Sequence, residues 1–187
     1  MISTLLLLPL LSGLALAAPT PMPTTPHLES RGSGPGSRIR SISNPDLCVT
    51  VQNGFAGNGA RIALSDCWDD QETFAKLQQW SVIGPQTGQV DLIWHTDLCL
   101  DAGDQTNGAE VTVSRCGEGQ RQSWDIESLD DGKFRFKIND QSSQCLDVIK
   151  DSTSSYNKPY ISVKDLQMWE CHPDDHPDIS QQYFELF

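Results

Sequence analysis

A cysteine-led unit recurs three times in this chain, and that recurrence limits the fold more than any other feature. The units begin at Cys48, Cys99 and Cys145, which sets periods of 51 and then 46 residues. Each opens on a short strand-forming run: Cys48-Val49-Thr50-Val51, Cys99-Leu100-Asp101-Ala102 and Cys145-Leu146-Asp147-Val148. A period of this size asks for a repeat architecture, in which each unit buries its apolar face against its neighbours. A second cysteine follows in every unit, so that Cys48 and Cys67 are 19 apart, Cys99 and Cys116 are 17, and Cys145 and Cys171 are 26. The shared order argues for bridges within units, each closing a loop worth about 3 kcal/mol on the chain-entropy account. No Cys-x-x-Cys occurs, so the thiols are not read as metal ligands.

The rest of each unit alternates at strand period. Ile39 to Ile42, then Val90, Leu92 and Trp94, then Phe134, Phe136 and Ile138 read as strands entering a core. Asn53-Gly54, Asn58-Gly59 and Asn107-Gly108 are turn signals, since glycine accepts the positive φ that a tight turn demands. Ile62-Ala63-Leu64 and Val111-Thr112-Val113 supply return strands. Nothing after Ala17 sustains helical periodicity for three turns, so the expected class is all-β. Each unit closes on a glutamine, a large ring two residues later and an aliphatic two residues after that: Gln78, Trp80, Val82; Gln122, Trp124, Ile126; Gln182, Phe184, Leu186. Rings at equivalent places suit a threefold core. The amides can tie loop backbone that lacks ladder partners.

Two segments stand outside the repeats. Residues 1–17 carry an apolar run ending in Ala15-Leu16-Ala17 and read as a signal peptide, too short for a membrane span. Residues 18–37 are rich in Pro, Thr, Gly and Ser and read as a linker or propeptide, with Thr20, Thr24 and Thr25 suited to O-glycosylation. An even cysteine set fits the oxidising compartment that secretion implies. The expected folded domain is 38–187, about 150 residues, enough to bury about two thirds of its unfolded surface. A formal net charge of −12 repels phosphate backbones and anionic lipid, which argues against nucleic acid and membrane partners.

Three cysteine-led units with Cys-Leu-Asp openings and Gln-x-aromatic closings resemble the ricin B-chain lectin family over residues 38–187. The resemblance implies a β-trefoil carbohydrate-binding module with twelve strands, about four per repeat, disulfides within repeats and up to three shallow sugar sites. It also implies where a site would lie: an Asp just after the first cysteine, a polar residue and an aromatic four and two positions before the second, and an Asn and a Gln at the closing motif. An ionised Asp accepts hydrogen bonds from neighbouring hydroxyls, the amide fixes another, and the ring takes the C–H face of a pyranose.

By this pattern the first unit carries Thr50, Ala63, Ser65 and Leu77 and keeps only Gln78, so no site is expected there. The second keeps Asp101 and Gln122 as a weaker site, but offers Thr112, Ser114 and Arg121 at the remaining positions. Asp101 capping a turn or pairing with Arg121 is the alternative reading. The third unit has Asp147, Gln167, Trp169, Gln181 and Gln182, and is the expected carbohydrate site. Its longer cysteine spacing leaves a second register open. Aligning Asn157 with Asn58 and Asn107 makes Tyr160 to Val163 the strand and puts Ser162 and Lys164 at the site positions.

Other chemistry is thinner. His172-Pro173-Asp174-Asp175-His176-Pro177-Asp178 reads as a solvated loop, because two prolines prevent the helix that would set both histidines on one face. Asp69-Asp70 and Asp130-Asp131 fall in turn-like stretches, and neither Gly-x-Ser-x-Gly nor His-Glu-x-x-His occurs. No catalytic residue, metal or cofactor is expected. The expected function is that of a secreted lectin-like protein recognising extracellular glycans, with galactose-type sugars or xylan implied by the resemblance. The alternative is a protein-binding trefoil, a protease inhibitor or secreted effector, whose sugar sites have eroded.

Overall fold

The computed structural model describes residues 36–117, 119–140, 142–153 and 158–187. The expected signal peptide, almost all of the 18–37 linker with its threonines, and Asn157 lie outside them. Among the described residues thirteen strands run in chain order: β1 Ile39–Ser41, β2 Leu47–Val51, β3 Ala60–Asp66, β4 Gln86–Gly88, β5 Asp91–Leu92, β6 His95–Asp101, β7 Ala109–Glu110, β8 Thr112–Arg115, β9 Trp124–Ser128, β10 Phe134–Ile138, β11 Gln144–Val148, β12 Lys164–Glu170 and β13 Phe184–Leu186. Among the described residues the only helical elements are short 3₁₀ turns.

Each repeat pairs its cysteine-led strand with a return strand in the same register. Thr50 faces Ala63, Asp101 faces Thr112, and Asp147 faces Gln167. The repeats then join in a ring. The start of β3 pairs with β8 (Ala60 with Val113), β7 pairs with β12 (Ala109 with Met168), and the start of β12 returns to β3 (Lys164 with Leu64). Strands β1 and β13 fasten the first repeat to the last. Such closure leaves each repeat dependent on both others for its backbone partners, the arrangement of a β-trefoil.

Inside the ring, Trp80, Trp124 and Phe184 are fully buried. Each indole N–H finds a carbonyl in its own repeat, Trp80 on Val49 at 3.1 Å and Trp124 on Leu100 at 2.9 Å. Phe184 has no polar edge and meets Phe136 edge-on, with 5.7 Å between centroids. All three expected disulfides are formed, with Cα separations of 4.9, 5.0 and 5.0 Å.

The closing glutamines make one clip three times. Gln78 donates to the Asp66 carbonyl and accepts from the Trp68 N–H, thereby gripping the residues on either side of Cys67. Gln122 does the same with Arg115 and Gly117 around Cys116, and Gln182 with Glu170 and His172 around Cys171. In every repeat the amide also donates to the side chain two residues after the first cysteine: Thr50 at 2.8 Å, Asp101 at 2.9 Å and Asp147 at 3.2 Å. A second tie links repeats. Asn58 accepts the Arg115 N–H and Asn107 accepts the Glu170 N–H, from turns in which Gly59 and Gly108 hold φ of +82° and +85°.

One expectation fails. Val90 and Leu92 are buried, but Trp94 is not the third member of a core-facing run. Strand β5 is two residues long, its register with β6 shifts between Asp91 and Leu92, and Ile93-Trp94 form the turn that follows. The ring is 53% exposed, with the Lys76 ammonium 4.0 Å from its centroid.

If the clips hold the fold, Gln78→Ala should lower unfolding free energy by about 2–4 kcal/mol, because it strands the Asp66 carbonyl and the Trp68 N–H at once and removes a donor from the Thr50 hydroxyl. Ile83→Ala, at a side chain 86% exposed, should stay within about 0.5 kcal/mol of the parent. Equilibrium denaturation of both variants gives the comparison, and equal stabilities would remove the clip's structural role.

Candidate functional site

The β11–β12 register settles the third repeat's alignment. Gln167 and Trp169 stand opposite Asp147 and Cys145, the places held by Thr112 and Ser114 in the second repeat and by Ala63 and Ser65 in the first. The extra residues are therefore taken up before β12. Lys164 sits at the near end of that strand against the first repeat, and Ser162 is buried. Strand alternation does the rest: Leu166 and Met168 point into the core, which turns Gln167 and Trp169 outward. Trp169 remains 36% exposed.

Asp147 is held from both sides. Gln167 donates to one carboxylate oxygen at 2.8 Å and Gln182 to the other at 3.2 Å. Burial pushes the Asp147 carboxyl above the usual aspartate range, against the pull of the Gln167 and Gln182 hydrogen bonds and of the nearby His172. The carboxylate opens onto a cavity of about 440 Å³ that Gln167, Trp169 and Gln181 also line.

Gln182 is a different matter. It is fully buried, its oxygen accepts the His172 N–H, and its nitrogen serves Glu170 and Asp147. Expected as a sugar ligand, it is instead a residue that positions Asp147.

The second repeat does not present a comparable site. Asp101 is buried to the same degree as Asp147, but it accepts the Gly103 N–H at 3.0 Å and the Gln122 amide at 2.9 Å and pairs with Arg121 at 3.1 Å. Both roles of the alternative reading, turn cap and ion-pair partner, are filled, and Gln122 is buried in its clip. In the first repeat Thr50 donates to the Cys48 carbonyl and accepts from Gln78, so its hydroxyl is used within the fold. Tyr160 packs onto this repeat, edge-on to Trp68 at 4.7 Å and Phe74 at 5.2 Å. Its hydroxyl accepts the Gly54 N–H and donates to the Val51 carbonyl, and burial raises its pKa.

Sequence reasoning missed the histidines. The prolines do exclude a helix, but a turn closed by the His176 N–H on the Pro173 carbonyl stacks the imidazoles of His172 and His176 at 3.8 Å and 11°. Both line the Asp147 cavity. The signal was Pro-Asp-Asp, a turn-forming run between them. Lys150 and Asp178 meet at the same rim, 2.5 Å apart, and the hydrogen bond from Lys150 draws the Asp178 carboxyl below its usual range. Among the described residues no group of three or more His, Cys, Asp or Glu side chains converges as metal ligands would.

The sequence profile of the ricin-type beta-trefoil lectin domain matches residues 36–183. The fold is similar to the designed threefold-symmetric protein ThreeFoil, with 19% identity and a TM-score of 0.61 over 80% of this chain and 96% of that one. It is also similar to the C-half of the earthworm R-type lectin, crystallised with GalNAc (15% identity, TM-score 0.57, 82% of this chain and 100% of that one). A third likeness is to the Polyporus squamosus lectin bound to a sialylated galactoside (14%, 0.58, 82% and 49%). This chain thus spans about half of the Polyporus protein. A search of curated proteins finds no match.

The closed state of the second repeat is testable. Asp101→Ala should cost about 1–3 kcal/mol in stability through the partners it strands, and should leave glycan binding as it was. A folded Asp101→Ala protein with reduced binding would place a working site in the second repeat after all.

Proposed function

The chain belongs to the ricin-type β-trefoil lectin domain family, and from that membership we propose that it binds a glycan outside the cell through its third repeat, without cleaving it. The observation that carries this reading is the Asp147 carboxylate, braced by two amides and opening on a cavity beside an outward-facing indole. Each carboxylate oxygen retains acceptor capacity for a sugar hydroxyl, Gln167 and Gln181 add amide groups, and Trp169 offers the flat face that a pyranose packs against. Three disulfides in a chain with an apolar leader support an oxidising, extracellular location.

Galactose-type sugars are favoured by the GalNAc complex of the earthworm lectin, and xylan is the other substrate class the family resemblance implies. One shallow site of this kind binds with a dissociation constant on the order of millimolar, about 4 kcal/mol. Useful retention on a surface then calls for several sites in one assembly. The competing reading, a protein-binding trefoil, draws on the two repeats whose determinants are consumed internally.

A glycan array probed with the 38–187 domain, followed by calorimetry on the best sugar, separates the two. Asp147→Ala and Trp169→Ala should each weaken binding by about tenfold or more, at least 1.4 kcal/mol, while both proteins stay folded by circular dichroism. Binding indifferent to both substitutions, or no glycan signal at all, would sink the lectin reading.

Acidity provides a further check. The ionised carboxylate is the acceptor, and its folded pKa is raised, so affinity should fall on acidification at a higher pH than the midpoint of an exposed aspartate, about 4. The sign for stability is opposite. A carboxyl that binds its proton more readily in the folded state contributes more to stability as pH drops through that range. Affinity should therefore be lost while the Asp147 region remains folded, and a flat affinity profile down to pH 4 would contradict the role given to this carboxylate.

A further inference from the structure

A second cavity, about 260 Å³, adjoins the Asp147 cavity and shares Lys150, Asp178 and Gln181 with it. Its other walls come from two repeats: Ser43 and Asn44 from the loop after β1, Lys164 from the start of β12, and Ser180 from the closing turn of the third repeat. The Lys150–Asp178 pair and Gln181 lie at the boundary of the two spaces, and both side chains of the pair reach solvent, 63% and 32% exposed. An ion pair this open contributes little, so a ligand crossing it loses little by rearranging it. The two cavities together reach the size range of pockets for ligands of several rings, about 300–1,000 Å³.

The lining says what kind of ligand. It has no ring and no large apolar wall, which excludes another stacking site. Lys164 is the informative residue. Its ammonium donates to the backbone carbonyls of Lys150 at 2.9 Å and Ser152 at 2.7 Å, which pin it in place without neutralising it. No carboxylate lies within ion-pair distance of it among the described residues, although the protein carries a net charge of −12. Lys150 adds a second ammonium, of which one N–H is engaged by Asp178. Asn44, which also lines the cavity, donates to Ser43 through its amide nitrogen, so the donor role of that amide is partly used while its oxygen is an acceptor suited to a hydroxyl. A fixed, uncompensated ammonium beside hydroxyl and amide groups is the complement of a carboxylate on a polyhydroxylated ring.

The arrangement is particular to the third repeat. Asn53 and Asp104 occupy the place of Lys150 in the other two units, three residues after Thr50 and Asp101. Neither supplies a cation.

Resting on the glycan reading of the third repeat, we propose that this second cavity is a subsite for an acidic sugar residue, a uronate or sialate, joined to the residue that stacks on Trp169. Lys164 takes the carboxylate, Asn44 and Ser180 take ring hydroxyls, and the Lys150–Asp178 pair marks the linkage between the two sugars. The protein would then select acidic oligosaccharides over their neutral counterparts through Lys164, which lines the second cavity and not the Asp147 cavity.

Calorimetry at pH 7 with lactose, 6′-sialyllactose, xylobiose and a glucuronic-acid-substituted xylotriose tests this. In whichever series binds, the acidic sugar should bind about tenfold or more tightly than the neutral one, and 0.5 M salt should erase most of that gain. Lys164→Gln keeps a donor for the two carbonyls and should abolish the difference while leaving the neutral sugar's affinity unchanged. Asn44→Asp, which places a carboxylate in the same cavity, should weaken the acidic sugar alone. Equal affinity for neutral and acidic sugars, or equal losses for both in Lys164→Gln, overturns the subsite and leaves the Trp169 site standing. Absence of binding to all four sugars and to the array overturns both.

Discussion

One carboxamide per repeat carries the fold. Gln78, Gln122 and Gln182 each bind the backbone on both sides of the second cysteine and a side chain two residues after the first. The disulfide brings those two stretches together, but a disulfide alone leaves their polar backbone groups to be satisfied. The glutamine does that where no ladder partner is available. The indoles of Trp80 and Trp124 then seal the same region by donating to carbonyls on the cysteine-led strands. Loss of the clip leaves buried donors and acceptors open in each repeat, and the ring of strand pairings passes the damage to its neighbours.

This constraint explains how the residue two places after the first cysteine can vary without loss of the fold. The clip requires an acceptor at positions 50, 101 and 147, and a carboxylate is only one way to supply it. Thr50 meets the requirement with a hydroxyl that also donates to Cys48. Asp101 meets it with one oxygen and has its remaining capacity drawn off by Gly103 and Arg121. At Asp147 the partners are amides only, and the residue corresponding to Arg121 is Gln181, which brings no charge to neutralise it. The difference between a structural aspartate and one open to a ligand thus rests on what stands one residue before the clip.

How much of this the sequence showed follows the range of each interaction. Cysteine order, strand alternation and the closing rings are local and periodic, and the structure has them where the pattern placed them. Gln167 and Trp169 were legible as candidates, but their register was not, because the 26-residue spacing admits two alignments until β11 and β12 are paired. Trp94 misled because alternation does not reveal where a strand stops, and β5 stops after Leu92. The histidine stack was missed for a similar reason: prolines were rightly taken to forbid a helix, yet a turn brings side chains four apart together as well. Gln182 carries two meanings in one motif, and its hydrogen bonds to His172, Glu170 and Asp147 show that its amide is taken up in bracing the fold.

Two described stretches of the third repeat, 149–153 and 158–164, link these observations. The first sets Lys150 and Asp151 at the Asp147 cavity, and the second returns to the first repeat, where Tyr160 packs on Trp68 and Phe74 and bonds to the backbone at Val51 and Gly54. Lys164 then closes the ring against Leu64 and turns its ammonium back to Lys150 and Ser152. In a symmetric trefoil each repeat would supply its own loop to its own site. Here one long connection covers ground in the first repeat and walls a cavity beside the third. The aromatic cluster where the first repeat has no sugar determinants and the enlarged, cation-bearing surface of the third therefore have a common structural cause, and a shorter segment matching the 17- and 19-residue spacings of the other repeats would remove both together.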